Sequence, residues 1–529
     1  MPVIHSSFRL IRASALVLLT VSALAQTAPR PPAPLQPGQL RRLGTVDERF
    51  QSYNVEMVEV TGGRFWAPYR AQQPAATTAP PTGAPTLDPS LFRQREPINL
   101  AGSRLRRLAA ALGPAYMRVS GTWANSTYFH DEDGRGPSTP PTGFGGVLTR
   151  DQWRGVVAFS QAVDAPIVTS FAISEGARGP DGVWTTDQLR RFLRFNQSLG
   201  GNIAAAEFFN EPNIPAMGGA PKGYDAAAYR RDFARFHAFL RTASPTTRIL
   251  GPGAVAEPDG QLARFTMLSS FDLLGGSLAQ VDALSYHFYG GVSKRCAAMS
   301  PGRQLAPENA LTPEWLSRTE RDLAFYTALR DRLDPKKPLW LTETAEAACG
   351  GNPWASTFLD TFRYLSQMGR LARGGVQVIA HNTLAASDYA LIDEETMTPR
   401  PSYWAALLWR RLMDRTVLDA GPPPSPTVET YAHCLRGVPG GVALLAINTS
   451  RDQAFSLPIP RPASLYLLTS PNLESARADL NGAELKLSPS GALPSLQPRS
   501  ASSPAALPPA GIAFLAFPNA GNPACRLEP

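Results

Sequence analysis

Lysine is almost missing from this chain of 529 residues: of 51 basic residues only Lys222, Lys294, Lys336, Lys337 and Lys486 are lysine. Base exceeds acid, 51 against 43, for a formal charge of +8. That excess suits an anionic partner, and its arginine form suits carboxylates and sulfates, because a planar guanidinium pairs with two oxygens at once. Genomic composition produces the same bias, so the charge alone selects no partner, and no nucleic acid is expected. Cysteine is also scarce, at four residues. None sits in a CxxC or Cys/His spacing, which argues against a zinc site, and no metal is expected. No glycine-rich phosphate loop follows the first strand pattern, which argues against an open nucleotide-binding sheet. The apolar run Ala13 to Leu24 is shorter than the ~20 residues of a membrane span, and no other stretch is long enough.

That run has a different use. Arg9 and Arg12 precede it, and Ala23-Leu24-Ala25 places small residues at a cleavage site. Residues 1–25 therefore read as a signal peptide, and the protein as secreted or periplasmic. Residues 26–45 read as a proline-rich linker, with the alternative that part of it forms a strand. Ala71 to Pro89 is a second low-complexity stretch and is expected as a surface loop. Export makes disulfides available to Cys296, Cys349, Cys434 and Cys525, in any of three pairings.

From about residue 46 short β-type runs alternate with helical patterns. Eight strands are expected: 52–60, 115–121, 165–173, 203–209, 247–253, 282–289, 338–343 and 374–381. Each is apolar enough to be covered on both faces. Helices are expected at Thr185 to Leu199, Tyr224 to Thr242, Pro313 to Leu333 and Trp354 to Arg370. The alternation predicts an α/β fold, a (β/α)₈ TIM barrel over 46–404 with active groups at the C-terminal strand ends. After about 405 only short β-type segments separated by Pro, Gly and Asn remain, predicting a β-sandwich domain over 405–529.

Two segments carry the chemistry. AEFFNEPN (206–213) brings Glu211 to the end of the fourth strand, and LWLTET (339–344) brings Glu343 to the end of the seventh. Glycosidic cleavage needs one carboxylic acid to protonate the leaving oxygen and one carboxylate to attack or to activate water; a close pair means retention, a wide gap inversion. An ionised Glu343 nearby is expected to keep Glu211 protonated. Asn210 is placed to bond the sugar 2-hydroxyl.

These segments resemble the barrel glycosidases with Asn-Glu on strand four and Glu on strand seven, and more closely the heparanase and β-glucuronidase family, glycoside hydrolase family 79. PAYMRVSGT (114–122), FFNEPN (208–213), KKPLWLTETAEAACGGNP (336–353), DYALIDEETMTPRPSYWAALLWRRL (388–412), YAHC (431–434), LNG (480–482) and the closing AC (524–525) carry the likeness, over nearly the whole chain. The resemblance implies Glu211 as acid/base and Glu343 as nucleophile. It also implies Glu56 on sugar hydroxyls, Thr122 and Asn210 in the same subsite, and Gly350 and Tyr389 on a uronic carboxylate. Cys434 and Cys525 would form the family's C-terminal disulfide. Cys296 and Cys349 have no counterpart and form either a second bridge or free thiols. Two departures stand out. Tyr286-His287-Phe288-Tyr289 replaces the family's His-His-Tyr-Tyr, leaving His287 and Tyr289 to orient the nucleophile or the sugar, or His287 to be satisfied by backbone. Cys349-Gly350-Gly351 replaces three glycines, so Gly351 joins the carboxylate loop with one contact altered.

The expected function is hydrolysis of a β-linked glucuronide, at a chain end or within an acidic polysaccharide, with retention and no cofactor. The expected partner is a glucuronic-acid-containing oligo- or polysaccharide. The alternatives are a barrel glycosidase acting on a neutral sugar and a catalytically silent glycan-binding protein.

Overall fold

The computed structural model describes residues 35–69, 89–258, 267–298, 300–460 and 462–526. The expected signal peptide and residues 71–88 of the second low-complexity stretch lie outside the described residues.

Eight parallel strands close into a barrel: β1 (Gln51–Glu56), β2 (Met117–Ser120), β3 (Ile167–Thr169), β4 (Ile203–Glu207), β5 (Arg248–Val255), β6 (Ala283–Tyr289), β7 (Leu339–Ala345) and β8 (Val376–His381), each beside its chain neighbour and β8 beside β1. The first expected strand is too long. It ends at Glu56, and Met57–Thr61 turns into a short helix. The longer helices among the described residues are α1 (Ser103–Leu112), α2 (Arg150–Ala162), α3 (Asp187–Ser198), α4 (Ala226–Ala243), α5 (Arg318–Leu333), α6 (Phe358–Arg373) and α7 (Pro401–Leu412). Capping sets several starts. Thr149 and Gln152 form a reciprocal capping box at α2, and Asp225 accepts from the Ala228 N–H at α4. At α3 the cap position falls to Thr186, whose side chain makes no capping bond.

Period-2 alternation decides what fills the barrel. Tyr116, Val168, Ala205, Leu250, Ala283, Trp340 and Val378 pack together as an apolar plug at the bottom. Two residues further along the same strands, facing the same way, come Arg118, Glu207, Ser285 and Thr342, joined by hydrogen bonds. The interior is thus apolar below and polar toward the mouth. The intervening residues, such as Val119, Ala206, Leu284 and Leu341, pack outward with the helices.

The step to the second unit falls at Leu412/Met413, eight residues beyond the expected boundary, because α7 runs across 404/405 and only then gives way to β9 (Met413–Leu418). β9 continues antiparallel through β10 (Val428–Leu435) and β11 (Val442–Asn448) to β13 (Ile512–Phe517), and then to β12 (Ala463–Thr469). Arg42–Thr45 joins as the edge strand on β9. On β11 the residues Ala443, Leu445 and Ile447 face the barrel core. Val442, Leu444 and Ala446 face a second layer made with the Phe455–Leu457/Ala505–Leu507 pair. Gly369 on α6 allows the sheet to come this close, since a Cβ there would lie 2.3 Å from the Tyr431 ring. Cys434–Cys525 ties β10 to the chain end, and Cys296–Cys349 is bonded as well. No described helix is long and apolar enough to cross a membrane.

Candidate active site

The polar layer inside the barrel is organised by Arg118, an arginine only 1% exposed in the middle of β2. It donates to Glu207 from Nε and Nη2 at 3.1 and 2.9 Å, to Glu343 Oε2 from Nη1 at 2.8 Å, and to Asn210 Oδ1 from Nη2 at 2.8 Å. A buried guanidinium is tolerable only when so fully paired. Burial opposes ionisation of Glu207, but Arg118 and the Thr342 hydroxyl outweigh it and hold that carboxyl below the usual range. Glu207 is thereby a fixed negative charge beneath the cleft.

Glu343 lies within β7, with both oxygens held: Oε2 by Arg118 and Oε1 by the Tyr289 hydroxyl at 2.5 Å. Glu211 lies in the turn four residues past the end of β4, later than expected, with a left-handed φ of 51°. Such backbone strain persists only where the surroundings over-determine it. Here Asn125 clamps the preceding residue, accepting from the Asn210 N–H at 2.8 Å and donating to its carbonyl at 2.9 Å. Asn213 in turn ties the turn to Val255 at the end of β5.

His287 connects the two acids. Its Nε2 lies 3.2 Å from Arg118 Nη2, and its Nδ1 lies 3.1 Å from Glu211 Oε1. A guanidinium only donates, so Nε2 is the acceptor and Nδ1 carries the proton. Burial pushes the His287 pKa down to about 4, so the ring is neutral. It is satisfied by side chains, not by backbone. Its N–H engages Oε1 of Glu211, so an acid proton on Glu211 sits on the other oxygen. Burial is the largest cause raising the Glu211 pKa to about 7; Arg118 opposes it and the charge of Glu207 adds to it. The neighbouring charge expected to do this was Glu343. The structure adds the charge of Glu207, which faces the same guanidinium.

One oxygen of Glu211, one of Glu343 and a ring nitrogen of His287 lie within 4.8 Å of one another. The same spacing would suit a cation, but Arg118 at 2.8 Å from Glu343 would repel it.

The acids open on a cleft of about 210 Å³ at the C-terminal ends of the strands, lined also by Glu56, Thr122, Tyr289 and Tyr389. Burial, and after it the charge of Glu343, push the Glu56 carboxyl well above the usual range. Its Oε2 has no hydrogen-bond partner among the described residues. The next strand makes room for it: a Cβ on Gly121, φ 90°, would fall 1.5 Å from that oxygen. Tyr389 accepts from Asn382 Nδ2 at 3.0 Å, and the same amide reaches Tyr289 at 3.0 Å. Gly350 and Gly351 have left-handed φ of 79° and 82°. Their carbonyls are taken by Ser387 and Ser293. At this point the cleft wall itself is formed by Ala348 and Cys349. Cys349 is bonded to Cys296, on the loop after β6, so the bridge borders the cleft.

Sequence reasoning left Arg118, Glu207, Asn125 and Asn382 unassigned. The first two carried a signal, a charged residue inside an otherwise apolar strand. The asparagines carried none. It also missed the aromatic residues Trp66, Phe92 and Trp123 in the cleft wall.

With this geometry in view, the relatives are informative. The chain is 26% identical to heparanase-like protein 1 of Arabidopsis thaliana over 81% of its length and 86% of that protein. It is 27% identical to mouse heparanase, over 86% of this chain and 94% of the other. The chain belongs to the heparanase-like family of glycoside hydrolases. Within that family a shorter likeness, 32% over 177 residues, links it to baicalin-beta-D-glucuronidase of Scutellaria baicalensis, covering 32% of this chain and 33% of the other. Among solved structures, the α-L-arabinofuranosidase of Thermotoga maritima superposes with a TM-score of 0.60 at 14% identity, covering 91% of this chain and 98% of the other, and shares the fold. No family model matches the chain.

Proposed function

We propose that this heparanase-like chain is a secreted β-glucuronidase working by a two-glutamate double displacement with retention. The observation that carries the reading is the approach of Glu211 and Glu343 to within 4.8 Å across one cleft, the short separation of retaining enzymes. Glu211 gives its proton to the glycosidic oxygen while a Glu343 oxygen attacks the anomeric carbon. The C–O bond breaks, the aglycone leaves as an alcohol, and the sugar is held as an ester on Glu343. Glu211, now a carboxylate, takes a proton from water as that water attacks the same carbon, and the ester breaks. The steps balance without a metal or organic cofactor.

Arg118 and Tyr289 orient the nucleophile, and the proton of Glu211, kept off the oxygen that meets His287, faces the substrate. The sugar hydroxyls fall to Glu56, to Thr122, and to the amide of Asn210, whose own oxygen is held by Arg118. For the uronic carboxylate the donors are the Tyr389 hydroxyl and the backbone of Gly350 and Gly351. Tyr389 is the stronger support. Burial pushes its pKa well above the usual range, so it keeps its proton, and among the described residues its hydroxyl bonds as acceptor from Asn382. A neutral, preorganised donor suits a carboxylate, whereas a neutral sugar offers it no charge to bind. The name of the Scutellaria relative points to the same glycone, and the two disulfides fit an oxidising compartment.

An aryl β-glucuronide is the test substrate, with Glu343→Gln as control. The variant is expected to lose at least ~10³-fold in kcat, since the double displacement has no other nucleophile. Equal turnover by the two proteins defeats the assignment.

A further inference from the structure

The cleft that holds the acids also has apolar walls. On the Glu211 side, Ile214 and Met217 follow the acid along the chain, and Val255 ends the neighbouring strand β5. Trp66, Phe92 and Trp123 line it as well. Trp66 stacks on Phe92 with centroids 4.6 Å apart, and Trp123 meets each of them edge-on at 6.4 Å. These three and Met217 are partly exposed, while most large apolar side chains of the molecule are buried.

The carboxyl side chains among the described cleft lining are Glu56, Glu211 and Glu343; neither lysine nor arginine is among them. Nearby arginines are engaged elsewhere. Arg118 lies beneath the acids, and Arg295 is paired with Asp388 at 2.7 Å and packed over the Tyr69 ring. A sulfated leaving group would therefore find no cationic side chain among the described lining and would lose hydration without a partner for its charge. A flat, uncharged group would bury apolar area against tryptophan, phenylalanine and methionine, and such contacts contribute beyond area alone.

Resting on the β-glucuronidase reading, we propose that the leaving-group subsite of this enzyme is built for an uncharged aglycone with an apolar ring face, an aryl group, and not for a sulfated sugar. The aryl ring packs on the Glu211-side residues Ile214, Met217 and Val255 and on the aromatic wall, with the glycosidic oxygen at Glu211.

The test uses the purified full chain and three kinds of substrate. β-Glucuronyl fluoride reports on the sugar site alone, because its leaving group needs no aglycone subsite. Two aryl β-glucuronides matched in phenol acidity, one neutral and one carrying a sulfonate, report on the subsite, and heparan sulfate oligosaccharides report on sulfated leaving groups. Expected are turnover of the fluoride and a kcat/KM for the neutral aryl substrate at least about tenfold above that for the sulfonate. Met217→Lys should shrink that ratio at least fivefold, or about 1 kcal/mol. Trp123→Ala, the second variant, should lower kcat/KM for the neutral aryl substrate more than for the sulfonate. Failure to turn over the fluoride and every glucuronide overturns the β-glucuronidase reading itself. Turnover of the fluoride with equal rates for the two aryl substrates, or faster cleavage of the sulfated oligosaccharides, overturns the subsite proposal and leaves that reading standing.

Discussion

Glu211, the proposed acid, illustrates how surroundings tune a single residue. An ordinary glutamate is ionised at neutral pH and has no proton to give, but burial brings this one to about 7. With acid and leaving group in contact, kcat/KM should hold on the acid side and fall with an alkaline limb near pH 7, as Glu211 loses its proton in the free enzyme. Glu211→Gln should abolish the limb and lower kcat/KM for an alkyl glucuronide by ~10²–10⁴-fold. Glucuronyl fluoride should suffer much less, because fluoride leaves without protonation. A pH–rate profile with both substrates checks this, and an unshifted limb in Glu211→Gln would assign the proton to another group. The glutamate and its asparagine neighbour were legible in the chain as Asn-Glu at a strand end. The tuning was not, because burial, its largest cause, and the charge of Glu207 act on Glu211 only once the strands close into one barrel.

At the scale of elements, the loops after β6 and β7 are joined in several ways. The Cys296–Cys349 bond links them, Ser293 donates to the Gly351 carbonyl at 2.7 Å, and Asn352 accepts from the Lys294 N–H at 2.9 Å. The proposed carboxylate-binding glycines sit between these ties. The disulfide closes a loop across a sequence separation of 53, and removing it should cost roughly 2–4 kcal/mol of stability. Cys296→Ser/Cys349→Ser should accordingly melt lower and show a KM for glucuronides raised several-fold more than kcat is lowered, since Glu211 and Glu343 sit on other supports. An unchanged KM would place the bridge outside substrate binding. The pairing itself was open in the sequence, because connectivity depends on which loops the strand order makes neighbours.

Across the whole molecule, burial has left several acids protonated in the native state. Glu59 and Glu346 are raised by burial to about 8, and Asp322 and Glu211 to about 7. In the unfolded chain these groups are already ionised above pH ~5. Their stabilising contribution is complete below the unfolded value and disappears as pH rises through 7 to 8, because the native state then gives up protons the unfolded chain no longer holds. The buried His287, His381 and His433, lowered to about 4, 3 and 4, do not oppose this: above ~6.5 they are neutral in both states. Tm should fall between pH 6.5 and 8.5, and Glu59→Gln/Glu346→Gln should flatten the decline. A Tm rising over that range in the parent chain would contradict the assignment.

The amino-acid sequence by itself determined the alternation of strands and helices, the change to β-rich segments after the barrel, and the placement of two glutamates on the fourth and seventh strand units. Each follows from local periodicity and chain order. Tertiary structure alone decided what those glutamates face. It inserted Arg118 between Glu207 and Glu343, oriented the His287 ring through its two opposed partners, and raised an aromatic wall beside the acids. These are contacts between residues distant in the chain, and their energies depend on burial and distance, which exist only once the barrel has closed.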